Sequence, residues 1–372
     1  MKTLHIFPAV ALIGCLGFSG SASAVIDNNA PVVKLRNATN GGCVEAGATL
    51  NNCFTDIGAL NTWIWGTRKP TDTTPLVVDI GPGKFGQYGC GDGVSSIAGR
   101  ISFRGAGMDK TTLASVTILS QCANVSFDSM TVGGTGISYG VTVVNPGTKT
   151  TWNHVKLAGS WVEYCAGGSG GGRHNWFASQ VALTNGGYYQ VACDQSWFYG
   201  SEITSQGDLT SGEVSTFLVS GSELHVYGSI IRALGLGTGA SYALTAVYAS
   251  GGEVHIHGTG IDVTAVNGAP AVATALWATN GAMIHANETA YNLSSGTGGQ
   301  VIRVLNQGSH IHAPYLWEHI PDPATIPNYT SVTGADMAPI ASGTSDGHPH
   351  FAIYDSTCAS KWFDTVDKTC RP

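Results

Sequence analysis

Charge is scarce in this chain. Asp, Glu, Lys and Arg together make up 11% of its 372 residues, against about 25% in an average globular protein. That deficit excludes long exposed helices and coiled coils, which are built from Glu, Lys, Arg and Ala. Basic clusters are missing too, and the net charge is −7. The phosphate contacts that dominate nucleic-acid binding therefore have no source. After the first 24 residues there is no run of about 18 apolar residues, so no membrane-spanning helix is expected. No Cys-x-x-Cys pair occurs, which excludes a zinc ribbon or a thioredoxin-like site. The Gly-rich stretch 167–172 lacks the Gly-Lys-Ser/Thr of a P-loop.

Glycine is what the chain has in excess, with 51 residues, about twice the usual share of ~7%. Apolar residues reach 43%, enough for a packed core rather than disorder. The first residues read as an export signal. Lys2 supplies the basic start, Leu4 to Phe18 the apolar stretch, and Ala22-Ser23-Ala24 the small-residue cleavage site. The alternative is lipid anchoring through Cys15, because Leu12-Ile13-Gly14-Cys15 resembles a lipobox. Either way the chain is expected to be secreted or periplasmic. Eight cysteines remain, and an even count in an exported chain points to disulfides. Pairing neighbours in order gives Cys43–Cys53, Cys90–Cys122, Cys165–Cys193 and Cys358–Cys370, one of many possible connectivities.

Internal repetition carries most of the fold information. Val219-Ser-Gly-Ser-Glu-Leu-His-Val-Tyr-Gly228 aligns with Ala249-Ser-Gly-Gly-Glu-Val-His-Ile-His-Gly258, and then with segments centred on His285 and His312. The histidines at 225, 255, 285 and 312 are spaced 30, 30 and 27 residues apart. Upstream, Val191–Ile203 aligns so that Trp197 takes the histidine register, and Asn175–Val181 repeats the end of the pattern. Within each unit Leu224 and Val226, or Val254 and Ile256, alternate with polar residues, which marks a strand with one buried face. Short strands precede and follow each Gly turn. Three short strands in a unit of 22–30 residues, repeated many times, describe a β-solenoid. A propeller needs about 40–50 residues per blade.

The expected organisation is a signal over 1–24, an N-terminal cap over 25–75, a parallel β-helix over 76–313 and an irregular, disulfide-bonded C-terminal cap over 314–372. Phe54, Ile57, Leu60 and Ile64 have helical spacing, so a cap helix is expected over 54–65.

Leu76-Val-Val-Asp-Ile-Gly-Pro-Gly-Lys-Phe85, Ile101-Ser-Phe-Arg-Gly-Ala-Gly-Met-Asp-Lys-Thr-Thr-Leu113 and Cys122-Ala-Asn-Val-Ser-Phe-Asp-Ser-Met-Thr-Val132 resemble successive coils of the pectin-lyase-like superfamily, nearest to its pectinesterase-like branch. The resemblance covers roughly 54–312 and implies an all-β, right-handed parallel β-helix acting on polysaccharide. Asp194-Gln-Ser-Trp-Phe-Tyr-Gly200 is similar to the Asp-Phe-x-Phe-Gly run of that branch, with two extra residues and without its Arg-x-Trp. On this reading Asp194 is the nucleophile or base, and Glu163, about one coil earlier, is the acid. An Asp beside a Gly turn also serves as an ordinary turn residue.

The aromatic cluster around 152–199 offers ring faces to a sugar, and Trp161, Trp176, Trp197 and Tyr199 are the expected substrate contacts, with His225 and His255 beside them. The outward histidine row admits three readings. It is a stacked structural ladder, a surface for sugar hydroxyls, or a metal site formed with Glu223 and Glu253. The first is preferred, so no metal and no cofactor is assigned. The expected partner of the chain, read as a monomer, is a polysaccharide or a cell-surface glycan. The expected function is an exported polysaccharide-modifying β-helix, and the alternative is a non-catalytic adhesin-type β-helix that binds glycans.

Overall fold

The computed structural model describes residues 30–313, apart from 41, 45–51, 91–98, 119–121, 135–136, 138, 144–147, 165–171, 192–194, 208–210, 238–240, 267–270 and 296–298. It also describes the strands Met337–Ile340, His350–Tyr354, Trp362–Asp364 and Thr369–Cys370. The proposed signal and Cys15 lie outside these residues.

Among the described residues the coils present three strand faces, and strands pair in parallel with their equivalents in the next coil. Three parallel sheets result. The first contains Leu76–Ile80, Arg100–Arg104, Arg173–Phe177, Gln195–Tyr199, Met283–Asn287 and His310–His312. The second contains Gln180–Thr184, Glu202–Gly207, Ile230–Gly235, Gly260–Ala265 and Ala290–Ser294. The third runs through Tyr139–Val143, Trp161–Tyr164 and Tyr188–Val191 into the long strands Ser211–Tyr227 and Ser241–His257, which turn a corner to join the first sheet. The expected all-β parallel solenoid is therefore present, and the repeat register is observed. Trp197 pairs with His225, His225 with His255, His255 with His285, and His285 with His312.

Alternation places one side chain in two inside. Leu224, Val226, Val254 and Ile256 are fully buried. In the first sheet the inward column is aromatic. Phe103, Phe127, Trp152, Trp176 and Phe198 form a near-parallel stack with centroid spacings of 5.2, 4.4, 4.9 and 5.6 Å. In-register stacking of parallel strands, ~4.8 Å apart, brings ring upon ring at close to van der Waals contact. Some polar atoms in the core are paired locally. Trp152 Nε1 donates to Thr150 Oγ1 at 2.9 Å, Thr150 Oγ1 lies 2.9 Å from His174 Nδ1, and the Tyr188 hydroxyl lies 2.8 Å from Ser196 Oγ.

The corner between the first and second sheets repeats chemically. Ser179, Ser201, Ser229 and Thr259 are buried there. Each hydroxyl bonds a carbonyl two residues back and receives the backbone N–H of the corner residue one coil earlier, as in Ser201 N to Ser229 Oγ at 3.1 Å. The preceding residue is left-handed in each coil, and Gly200, Gly228 and Gly258 fill that position at φ of 55, 53 and 56°. Glycine is favoured at such corners because it adopts the left-handed backbone without penalty.

Two disulfides, Cys43–Cys53 and Cys90–Cys122, are formed as expected. The pair Cys165–Cys193 lies outside the described residues, as do Cys358 and the side chain of Cys370. The cap helix spans Ile57–Trp63 and passes into a wider π turn, Ile64–Arg68. It starts later than expected because Asp56 caps it, accepting the Ala59 N–H at 2.7 Å. Phe54 instead belongs to a two-residue strand paired with Leu35. Ile57, Leu60, Ile64 and Trp65 join the core. Val32–Leu35 pairs in parallel with Leu76–Ile80, so the solenoid ladder takes its first rung from within 25–75. In 314–372 the four described strands form an antiparallel sheet that does not pair with the solenoid.

Candidate functional site

Two outward surfaces carry chemistry. On the first sheet, three columns of side chains run along the solenoid axis. The middle one is Ser126, Thr151, Asn175, Trp197, His225, His255, His285 and His312. Trp197, His225, His255 and His285 stack as parallel rings at 3.6, 4.7 and 5.1 Å, and His312 ends the row edge-on at 6.1 Å. Two residues on, Phe177, Tyr199, Tyr227 and His257 form a second parallel stack at 5.1, 5.4 and 5.3 Å. Two residues back, Glu223 and Glu253 face the imidazoles. His225 Nε2 lies 2.6 Å from Glu223 Oε1, and its Nδ1 lies 3.2 Å from the Tyr227 hydroxyl. His255 Nε2 lies 2.9 Å from Glu253 Oε1, and His285 Nε2 lies 3.7 Å from the same oxygen. Gln195 donates to the other oxygen of Glu223.

These distances change the reading of several expected contacts. Trp176 is fully buried in the aromatic core stack, so it presents no face to a substrate. The repeat already contained this answer, since Asn175 occupies the outward register of Trp197 and strand parity turns Trp176 inward. Trp197 is outward but sandwiched, with the Arg173 guanidinium 4.2 Å over its ring and His225 stacked at 3.6 Å. Tyr199 is stacked between Phe177 and Tyr227. His225 is 6% exposed and held by two polar partners, which leaves little of it for a sugar. His255 and Trp161 are half-buried. Asp194 and the side chain of Glu163 lie outside the described residues. The Glu163 backbone pairs in register with Tyr189 on one side and Thr142 on the other.

The histidine row has an electrostatic consequence. Burial, opposed by Glu223 and reinforced by the charges of His255 and Arg173, holds the pKa of His225 below the ordinary value. Burial also lowers that of His257, with His255 adding to the effect and Glu288 opposing it. His285 is lowered by burial and by His255, His312 and His310, against Glu253. A depressed histidine pKa means that the unfolded chain binds more protons than the folded one near its unfolded value of about 6.5. The contribution of His225, His257 and His285 is therefore complete above that value and is lost as the pH falls below it towards their folded values. Thermal unfolding of chelator-treated protein followed by circular dichroism is expected to show a midpoint lower by several degrees at about pH 5 than at about pH 7.5. A midpoint constant over that range contradicts it.

The second surface is on the third sheet. Glu163, Tyr189, Leu218, Tyr248, Trp277 and Leu305 fall in one register column. Tyr189 is exposed, and Leu218, Tyr248 and Trp277 are half-exposed. Tyr189, Leu218, Val219, Ser220, Tyr248 and Ser250 line a shallow groove of ≈ 260 Å³. Tyr248 and Trp277 meet edge to face at 4.8 Å. Polar groups flank the rings. The Tyr248 hydroxyl lies 3.3 Å from Thr279 Oγ1, Trp277 Nε1 donates to Gln307 Oε1 at 3.3 Å, and Asn280 Nδ2 donates to Ser250 Oγ at 2.8 Å. Sequence reasoning passed over Tyr248 and Trp277. A signal for Tyr248 was its distance from the repeat histidines, since Leu218 and Tyr248 each stand seven residues before one, whereas Trp277 stands eight before His285.

The fold and these surfaces define a parallel β-solenoid with two ordered outward ladders. No protein-family model matches the chain, and no curated protein matches it. Among solved structures it is similar to the A-module of the mannuronan C-5 epimerase AlgE6 of Azotobacter vinelandii. The identity is 11%, the match covers 69% of this chain and 95% of that one, and the TM-score is 0.23. No helix among the described residues is long and apolar enough to cross a membrane.

Proposed function

We propose that this chain is an exported polysaccharide-binding β-solenoid whose glycan lies along the third sheet, over Tyr189, Tyr248 and Trp277. The observation that carries this reading is the row of partly exposed aromatic rings in one register column, flanked by Ser, Thr, Asn and Gln. Rings of this kind pack against the CH faces of sugars, while the flanking amides and hydroxyls meet their OH groups. The two disulfides fit an oxidising compartment outside the cytoplasm. Low net charge per length favours a ligand read by hydrogen bonds and stacking over one read by ion pairs.

A glycan array followed by titration calorimetry tests the proposal. Tyr248→Ala and Trp277→Ala are each expected to weaken binding about tenfold, equivalent to about 1.4 kcal/mol. Failure of the wild-type protein to bind any polysaccharide, or unchanged affinity in both variants, overturns it. A second reading, that the bound polysaccharide is also modified, rests on the register of Glu163 beside Tyr189. In that reading Glu163→Gln abolishes release of methanol or acetate, or formation of unsaturated uronate, with binding retained. Turnover that survives in Glu163→Gln removes this residue as the acid.

A further inference from the structure

The first sheet holds a donor set that the glycan row does not use. Glu223, His225 and His255 each offer one ligand atom, and these atoms all lie within 4.8 Å of one another. The three come from neighbouring positions of two stacked coils, Glu223 and His225 from one and His255 from the next. We propose that Glu223, His225 and His255 form a site for a divalent transition metal of the zinc type, with one coordination position left open.

The chemistry of the donors selects the class of ion. Two neutral imidazoles and one carboxylate suit Zn²⁺ and its borderline neighbours, and suit Ca²⁺ or Mg²⁺ poorly, since those prefer oxygen ligands. Three protein ligands with a vacant fourth position is the pattern of zinc sites that bind water or substrate. Tetrahedral coordination at about 2.0–2.1 Å requires the donors, which lie within 4.8 Å of one another, to adjust, with Glu223 Oε1 and His225 Nε2 moving apart from their present 2.6 Å. Two of the three side chains have room to do so, with 31% of Glu223 and 24% of His255 exposed. His225 is the anchored member, with 7% of its side chain exposed.

Its partners fit that part. To ligate through Nε2, His225 must carry its proton on Nδ1, and the Tyr227 hydroxyl 3.2 Å away can accept it. An orienting acceptor on the second ring nitrogen is the usual support of a metal-bound histidine. Gln195, bonded to the other Glu223 oxygen, orients the carboxylate in the same way. The Arg173 guanidinium lies over the Trp197 ring, which itself stacks on His225, so Arg173 acts on the site through its charge and takes no part in the donor set. The open position faces the solvent side of the first sheet and would take water or a hydroxyl of a small ligand.

The test uses the full chain, freed of metal, and zinc chloride or cobalt chloride alone. One equivalent of Zn²⁺ is expected to bind and to raise the unfolding midpoint, and Co²⁺ is expected to develop visible ligand-field absorption. Glu223→Gln and His255→Asn each lower zinc affinity at least tenfold, Tyr227→Phe lowers it to a smaller degree, and His312→Asn leaves it unchanged. The cobalt spectrum needs no variant and so reads the site even if a substitution disturbs folding. Absence of both the cobalt bands and the zinc-induced shift overturns the proposal. So does full affinity in both Glu223→Gln and His255→Asn, or a loss confined to Glu253→Gln, which would place the ion one coil further along.

Discussion

Trp176→Ala is expected to lower stability by about 3–5 kcal/mol, the range for deleting a large aromatic side chain from a packed core. Trp176 is fully buried, stacked on Trp152 at 4.9 Å and on Phe198 at 5.6 Å, with Tyr188 meeting it edge-on at 6.3 Å. Neighbouring strands are tied in register above and below, so the solenoid cannot collapse into the cavity without breaking ladder hydrogen bonds. Urea unfolding followed by tryptophan fluorescence and circular dichroism measures the effect. Trp176→Phe provides the contrast. Phenylalanine already occupies the same inward column at 103, 127 and 198. The indole Nε1 of Trp176 is buried without a hydrogen-bond partner among the described residues, so its removal leaves no polar loss to set against the smaller ring. That variant is expected to cost about 1 kcal/mol or less. A Trp176→Ala cost below about 1 kcal/mol would mean that the stack does not hold the coils together.

Gly133→Ala is expected to cost about 3 kcal/mol or more, through backbone strain and overpacking together. Gly133 has φ of 92°, and a Cβ there would stand 1.7 Å from the Ala158 carbonyl oxygen of the next coil. That oxygen is backbone, so relief requires adjacent rungs to separate, at residues that pair with each other. Gly258→Ala is the control. It too is left-handed, at φ of 56°, but nothing lies within 4 Å of the added carbon. Only the left-handed penalty of about 1–2 kcal/mol applies. Ala178, at φ of 44° on the equivalent corner, shows that this fold accepts such a residue. Thermal midpoints of the two variants measure the difference, and equal midpoints would show that the close approach at Gly133 is relieved without cost.

The two variants also mark what was readable in the chain. The spacing of His225, His255 and His285, the alignment of Trp197 with them and the alternation of Leu224 and Val226 led directly to stacked parallel strands, and the pairing register agrees residue by residue. Parity was equally decisive for Trp176, yet grouping the aromatics by proximity in sequence set it with the substrate contacts. Clustering along the chain says nothing about direction, whereas alternate residues of a strand point to opposite faces. Cys43–Cys53 and Cys90–Cys122 were reached by pairing nearest neighbours, which works in a solenoid because residues close in sequence occupy the same or adjacent coils.

Other features arise only in the folded chain. What makes Gly133 costlier to substitute than Gly258 is the backbone of another coil, the Ala158 carbonyl. The column of Tyr189, Leu218, Tyr248 and Trp277 is spread over 89 residues with intervals of 29, 30 and 29, and it becomes a surface only when coils stack in register. The convergence of Glu223 and His255 depends on one coil lying directly on the next. By itself the sequence determined the period, the strand faces and hence the solenoid, because hydrophobic alternation and repeat length are local quantities. The tertiary structure decided which outward residues meet, since that depends on the registration of coils whose members are about thirty residues apart.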